Sequence, residues 1–164
     1  DVCSSDLGIM ISGGGMPIDA VISDFVSGAA EILSPANDDD HWDVIEGQGS
    51  LFHPGYAAVT LGLLHGSQPD GFVVCHEAGR KMVEAFPDFP LPTIGELIDL
   101  TIANGKLTNS EIRCVGISVN TSSLSDVERQ AYLDKKSAEF GLPCVDPVAT
   151  GVGPLVDYIV DTYQ

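Results

Sequence analysis

The stretch Cys114-Val115-Gly116-Ile117-Ser118-Val119-Asn120 decides the fold. It is a short, β-branched apolar run that closes on a polar residue, which predicts a buried strand. Directly after it, Ser125 is placed to cap a helix rich in Glu, Lys and Ala that runs to Phe140 and stops at Gly141. Pro143-Cys144-Val145-Asp146-Pro147 then reads as a short final strand and loop, and Gly153–Tyr163 as a last amphipathic helix. Working upstream, the Pro69-Asp70-Gly71 turn introduces a second buried strand, Phe72-Val73-Val74-Cys75-His76. Between these strands Pro87, Pro90 and Pro92 mark a loop. Thr93 follows as the N-cap of a helix through Ile94, Leu97, Ile98 and Ile102, with Glu96 at the capping-box position.

The first part of the chain repeats the alternation. Gly8–Ser12 is a short apolar run ending in Gly13-Gly14-Gly15. Ile18, Val21, Ile22, Phe25, Val26, Ala29 and Ile32 recur at helical spacing, which predicts a helix over Ile18–Leu33. Ser34-Pro35 and the run Asn37–Asp40 stop it in a solvated loop. Asp43-Val44-Ile45-Glu46 reads as a buried strand with a Gly-rich turn behind it, and His53–Leu64 as loop plus short helix. Strands alternating with helices predict an α/β fold with a mostly parallel sheet covered on both faces. Ligands bind beyond the carboxyl ends of such strands, which singles out Glu46, His76 and Asn120.

Composition narrows the function. Seven Lys and Arg stand against 24 Asp and Glu, a formal charge of -17. That field repels nucleic acid and anionic lipid, although backbone amides at a helix start can still hold a local anion. No apolar run approaches a membrane span and no secretory signal is visible, so a cytoplasmic protein is expected, with neither nucleic acid nor membrane as partner. Cys3, Cys75, Cys114 and Cys144 form no CxxC pair, and Cys75 and Cys114 fall in strands, where buried reduced thiols are the ordinary outcome. Asp1-Val2-Cys3-Ser4-Ser5-Asp6-Leu7 looks like the translation of a sequencing adapter, so residues 1–7 are expected to be non-native and the domain to begin near Gly8.

The candidate chemistry centres on Glu46-Gly47-Gln48-Gly49-Ser50. A carboxylate closing a strand sits where P-loop enzymes hold Mg²⁺ or a water, and Gly47 and Gly49 let backbone amides approach a ligand. Gln48 and Ser50 add uncharged donors; the competing reading is a tight turn with a solvated Glu46. Asp24, read onto the buried side of its helix, pairs with Glu46 as a metal-side carboxylate or else serves a cap or solvent role. His53 beside Pro54 reads as a shaping or substrate-contacting residue, since the histidine spacing fits no compact zinc pair. His76 is a general base near neutral pH, and Arg80 either clamps a substrate carboxylate or phosphate or pairs with Glu77 at the surface. Asn120 and Thr121 suit recognition of a base edge or amide, or ordinary helix-entry chemistry. No GxxxxGK[ST] occurs in the chain.

Several blocks carry a resemblance: Gly8–Gly13, Ile18–Val21, Asp24–Glu31, Val44–Pro54, Thr60–Gly66, Gln68–Asp70, Cys75–Arg80, Ser118–Ser122 and Gly141–Pro147. Together they resemble a family long labelled a domain of unknown function and associated with D-glutamate N-acetyltransferase. The resemblance implies a two-domain protein, Rossmann-like and then a P-loop domain similar to dethiobiotin synthetase. This chain would be the later part of that second domain, an N-terminally truncated three-layer sheet of P-loop NTPase type, with the phosphate-binding loop upstream. Glu46 and Asp24 would then be metal-side carboxylates, and Asn120 would meet an adenine ring. The implied activity is acetyl transfer from acetyl-CoA to the amino group of D-glutamate by a homo-oligomer. In that reaction His76 or Glu46 takes the amine proton, while Gln48 and backbone amides support the oxyanion. The competing expectations are a ligase or kinase using Mg and ATP or GTP, and a non-catalytic nucleotide-binding module.

Overall fold

The computed structural model describes residues 16–38, 40–47 and 49–164. The expectations for Gly8–Gly15 and for Gln48 lie outside the described residues. The chain divides into two units, Asp1–Pro69 with Leu100–Ile112, and Asp70–Asp99 with Arg113–Gln164.

In the first unit the expected helix Ile18–Leu33 is broken. Ile18–Ala20 and Ser23–Phe25 are 3-10 turns, and only Val26–Leu33 (α1) is α-helical. Val21 and Ile22 adopt extended backbone, as their β-branching favours, and this interrupts the i to i+4 ladder. Helical spacing therefore misjudged the buried face: Ile22 and Phe25 are 71% and 65% exposed, and Asp24 is exposed rather than buried. α1 packs on Ala57–Ser67 (α2), whose span confirms the expected loop and helix after His53. The two helices meet backbone to backbone: a Cβ on Gly66 would lie 2.1 Å from the Ser27 carbonyl oxygen. Ile18, Val26, Ala29, Ala30 and Leu63 form the resulting core.

The expected strand Asp43–Glu46 is absent as well. The segment is irregular chain, and Val44 is 84% exposed. Its polar neighbours explain why: Ser34 Oγ donates to Asp43 Oδ2 at 2.5 Å, and His41 Nε2 lies 3.1 Å from Oδ1. These bonds hold the acidic flank in solvent, and four residues bury too little apolar surface to reverse that.

The second unit follows the sequence closely. Gly71–Glu77 is β1, Met82–Val83 and Phe86–Pro90 are β2 and β3, and Ile94–Gly105 is α3, which continues into the first unit. Arg113–Asn120 (β4), Asp126–Phe140 (α4), Cys144–Val145 (β5) and Gly153–Tyr163 (α5) complete it. β1, β4 and β5 form a three-stranded parallel sheet in the order β1-β4-β5, so the α/β expectation holds. The proline-marked loop is in fact a two-stranded antiparallel ribbon, β2 with β3. Pro87 and Pro90 are accommodated because both strands of a two-stranded ribbon are edge strands.

The expected capping box forms, and the expected cap at Ser125 is a second one. Thr93 Oγ1 accepts from the Glu96 N–H at 3.2 Å while Glu96 Oε2 accepts from the Thr93 N–H at 2.8 Å. Ser125 and Glu128 repeat the exchange at the start of α4, which ends at Gly141 with φ 65°. Val74, Ala78, Ile94, Cys114, Ile117, Val119 and Leu133 form the core between the sheet and these helices. Cys114 is buried as expected, but Cys75, which alternates with the core residue Val74 along β1, is exposed. On the other face Gly116 lets α5 close in: a Cβ there would stand 2.2 Å from Leu155 Cδ1. The far end of α5 is fixed by Tyr163 Oη, which donates to the Asp70 carbonyl at 2.7 Å. The Arg113 N–H donates to the same oxygen at 3.1 Å.

Candidate functional site

The carboxyl ends of the three parallel strands bring His76 and Glu77, then Asn120 and Thr121, then Asp146 to one edge of the sheet. Register makes this exact at β1 and β4, where His76 pairs with Val119 and Glu77 with Asn120. This edge is where such sheets bind ligands.

His76 is half-buried near the end of β1. Desolvation, and then the charge of Lys136, push its pKa below the ordinary 6.5, with Glu77 opposing. The imidazole is therefore neutral at neutral pH and keeps a lone pair for a proton. The chain turns after Glu77 through Gly79, whose φ is 86°. That turn brings Arg80 Nη2 to 2.5 Å from Glu77 Oε2, and Nη1 reaches Glu84 Oε2 at 3.2 Å. The surface-pair reading of Arg80 is thus the arrangement observed. Its guanidinium meets an anionic ligand only by exchanging a solvated carboxylate partner, which costs little at an exposed pair.

Asn120 is exposed at the end of β4, and its Oδ1 accepts from the Ser122 N–H at 3.0 Å. Its Nδ2 donates to no group among the described residues. Thr121 corrects the expectation of a ligand-facing hydroxyl: it is 0% exposed, and its Oγ1 donates to Asp146 Oδ2. The Thr121 N–H donates to the same oxygen at 3.0 Å, and Arg129 Nε donates to Thr121 Oγ1 at 2.7 Å. Asp146 Oδ1 accepts from the N–H groups of Val148 and Ala149, each at 2.9 Å. Chiefly through the Thr121 hydroxyl, aided by these N–H groups and opposed by burial, the Asp146 pKa falls to about 2. A carboxylate so fully engaged does not act as a base; it organises what surrounds it.

Asp146 and Arg129 are the site residues that sequence reasoning missed. The signal for Asp146 was the one used for Asn120, a polar residue directly behind a strand, obscured because β5 is only Cys144–Val145. Arg129 carried no such signal, since it lies one turn inside α4 and reaches Thr121 only in three dimensions.

The remaining candidates lie in the first unit. Glu46 and Gly47 are exposed on irregular chain, and no atom lies within 4 Å of a Cβ built on Gly47. Gly49 takes a left-handed φ of 57°, with the Tyr56 Cβ 3.0 Å from where its own Cβ would be. Ser50 Oγ accepts from the Phe52 N–H at 3.2 Å. His53 shapes the entrance to α2: Nδ1 accepts from the N–H groups of Gly55 at 3.0 Å and Tyr56 at 3.1 Å. Its ring also lies 4.6 Å from the Tyr56 ring. Two backbone N–H groups converging on that nitrogen hold the ring in place. Among the described residues no three His, Cys, Asp or Glu side chains gather as a metal site, and Asp24 and Glu46 are each exposed to solvent.

Fold and strand-end geometry define an α/β domain built on a parallel sheet. Residues 2–156 match the DUF1611 family, described as "Domain of unknown function (DUF1611_C) P-loop domain", and the chain belongs to that family. It is 50% identical over 150 residues to a D-glutamate N-acetyltransferase of Tritonibacter scottomollicae, covering 92% of this chain and 45% of that protein. It is 53% identical over 149 residues to another of that name from a Pseudoalteromonas species, covering 91% and 45%. A crystal structure of a DUF1611 family protein from Anabaena variabilis superposes with a TM-score of 0.84 at 35% identity, over 96% of this chain and 47% of that one. The chain thus spans a little under half the length of the relatives it matches. Among the described residues no helix is long and apolar enough to cross a membrane.

Proposed function

We propose that this chain is the part of an N-acetyltransferase that handles the acetyl donor, and that the whole protein moves the acetyl group of acetyl-CoA to the amino group of D-glutamate. The observation that carries the reading is the 50% and 53% identity to proteins of that name across nearly the whole chain. In the reaction the amine nitrogen attacks the thioester carbonyl carbon, the C–S bond breaks, and an amide forms with release of coenzyme A as thiol. His76 takes the proton that the amine loses, a role its neutral imidazole suits better than the solvated Glu46 does. Arg80 exchanges Glu77 or Glu84 for a substrate carboxylate, and Asn120 meets the adenine end of the donor through Nδ2. No step is routed through a metal.

A P-loop family description favours one other reading, a ligase or kinase that spends ATP or GTP. One assay separates them. Protein of the relatives' full length is given acetyl-CoA with D- or L-glutamate, and thiol release is followed with and without Mg²⁺ and nucleotide. Thiol release that needs D-glutamate and no nucleotide supports acetyl transfer. Phosphate release that needs substrate and Mg²⁺, with acetyl-CoA untouched, would replace it.

A further inference from the structure

The most fully bonded carboxylate on the strand-end edge belongs to a residue with no role in the chemistry above. Asp146 spends one oxygen on β4 and the other on its own loop. Oδ2 takes the Thr121 N–H and hydroxyl, which fixes the peptide directly after Asn120. Oδ1 takes the Val148 and Ala149 N–H groups, and the Asp146 carbonyl takes those of Thr150 at 2.8 Å and Gly151 at 3.1 Å. Thr150 Oγ1 closes the turn by accepting from the Asp146 N–H at 3.1 Å. The result is a tight turn that leaves Val148 97% exposed beside the end of β5. Arg129 seals the network from α4, with Nε on Thr121 and Nη1 on Asp126 at 2.5 Å.

We propose that Asp146 is the positioning residue of the site: it sets the distance between the Asn120–Ser122 turn and the Pro147–Gly151 turn, which together hold the nucleotide end of the acetyl donor. The inference rests on the acetyl-transfer reading only for the identity of that donor. A merely structural carboxylate could bond either loop; this one bonds both, across adjacent parallel strands, at the edge where ligands bind. Asparagine at this position keeps the Oδ1 half and loses the Oδ2 half, because an amide nitrogen cannot accept from the Thr121 N–H. Asp146→Asn therefore loosens one loop against the other without emptying the site.

The test is steady-state kinetics on protein of the relatives' full length, with thermal unfolding of each variant alongside. Asp146→Asn raises KM for acetyl-CoA about tenfold, leaves KM for D-glutamate within about twofold, and lowers kcat by less than about threefold. Thr121→Val, which keeps the N–H and loses the hydroxyl bonded to Asp146, raises KM for acetyl-CoA by less than Asp146→Asn does. An apparent kcat that falls only in step with the folded fraction while both KM values hold, or a folded Asp146→Asn with unchanged KM for acetyl-CoA, would overturn the proposal and leave the acetyl-transfer reading intact. Calorimetric titration with coenzyme A and with ATP separates the remaining outcomes. A wild type without turnover whose affinity for either ligand falls about tenfold on Asp146→Asn removes the reading and keeps the positioning role. A wild type that binds neither ligand removes both.

Discussion

Two segments of this chain end an apolar run on a polar residue, and the structure treats them in opposite ways. At Cys114–Asn120 the run becomes the central strand of a parallel sheet, with Ile117 and Val119 fully buried. At Asp43–Glu46 the same pattern yields exposed, irregular chain. The second run is shorter and carries an acid at each end, and it also differs in what lies to either side. β4 has β1 and β5 to pair with and capped helices to cover it, whereas Asp43 is drawn into solvent by Ser34 and His41. A strand is made by its neighbours, and a short window of sequence cannot report them.

The contrast can be pressed hardest at Asp146. Replacement by alanine leaves the Thr121 and Val148–Ala149 donors unpaired and is expected to cost roughly 2–4 kcal/mol, or about 5–15 °C in melting temperature. Calorimetric unfolding checks this, and a loss below about 1 kcal/mol would mean that the network is ornamental. The same carboxylate shapes the acid limb of stability. Its folded pKa, about 2, lies below the ordinary 3.8, so its contribution is complete above about pH 4 and drains away as pH falls toward 2. Asp146→Asn should flatten that limb between those values in an acid titration followed by circular dichroism. At the other segment, Gly49→Ala forces a side chain into a left-handed φ against Tyr56 and is expected to cost about 1–2 kcal/mol. Ser125→Ala removes the acceptor for the Glu128 N–H and should cost about 1 kcal/mol in urea unfolding.

The smallest expected effect is the sharpest divider. Val44→Ser should change stability by less than about 0.5 kcal/mol, because the residue is 84% exposed. A loss above 2 kcal/mol would restore the buried strand that its sequence suggests.

Legibility followed the same division. Caps at Thr93 and Ser125, the glycine stop at Gly141 and both long strands were readable because each is fixed by residues a few positions apart. Their strand ends gave His76 and Asn120 correctly as edge residues. What failed needed distant partners. The break at Val21–Ile22 was hidden by continuous helical spacing, and the ribbon Met82–Pro90 was hidden by prolines that an edge strand tolerates. The burial of Thr121 depends on a carboxylate 25 residues away.

The Asp70 carbonyl, held by the Arg113 N–H and by Tyr163 Oη 93 residues along the chain, says something about order of assembly. The entrance to the first strand is completed only by the last helix. Residues far apart in sequence must therefore meet before the entrance to β1 is closed. Closing so long a span costs chain entropy, which the close packing of Leu155 on Gly116 helps to offset.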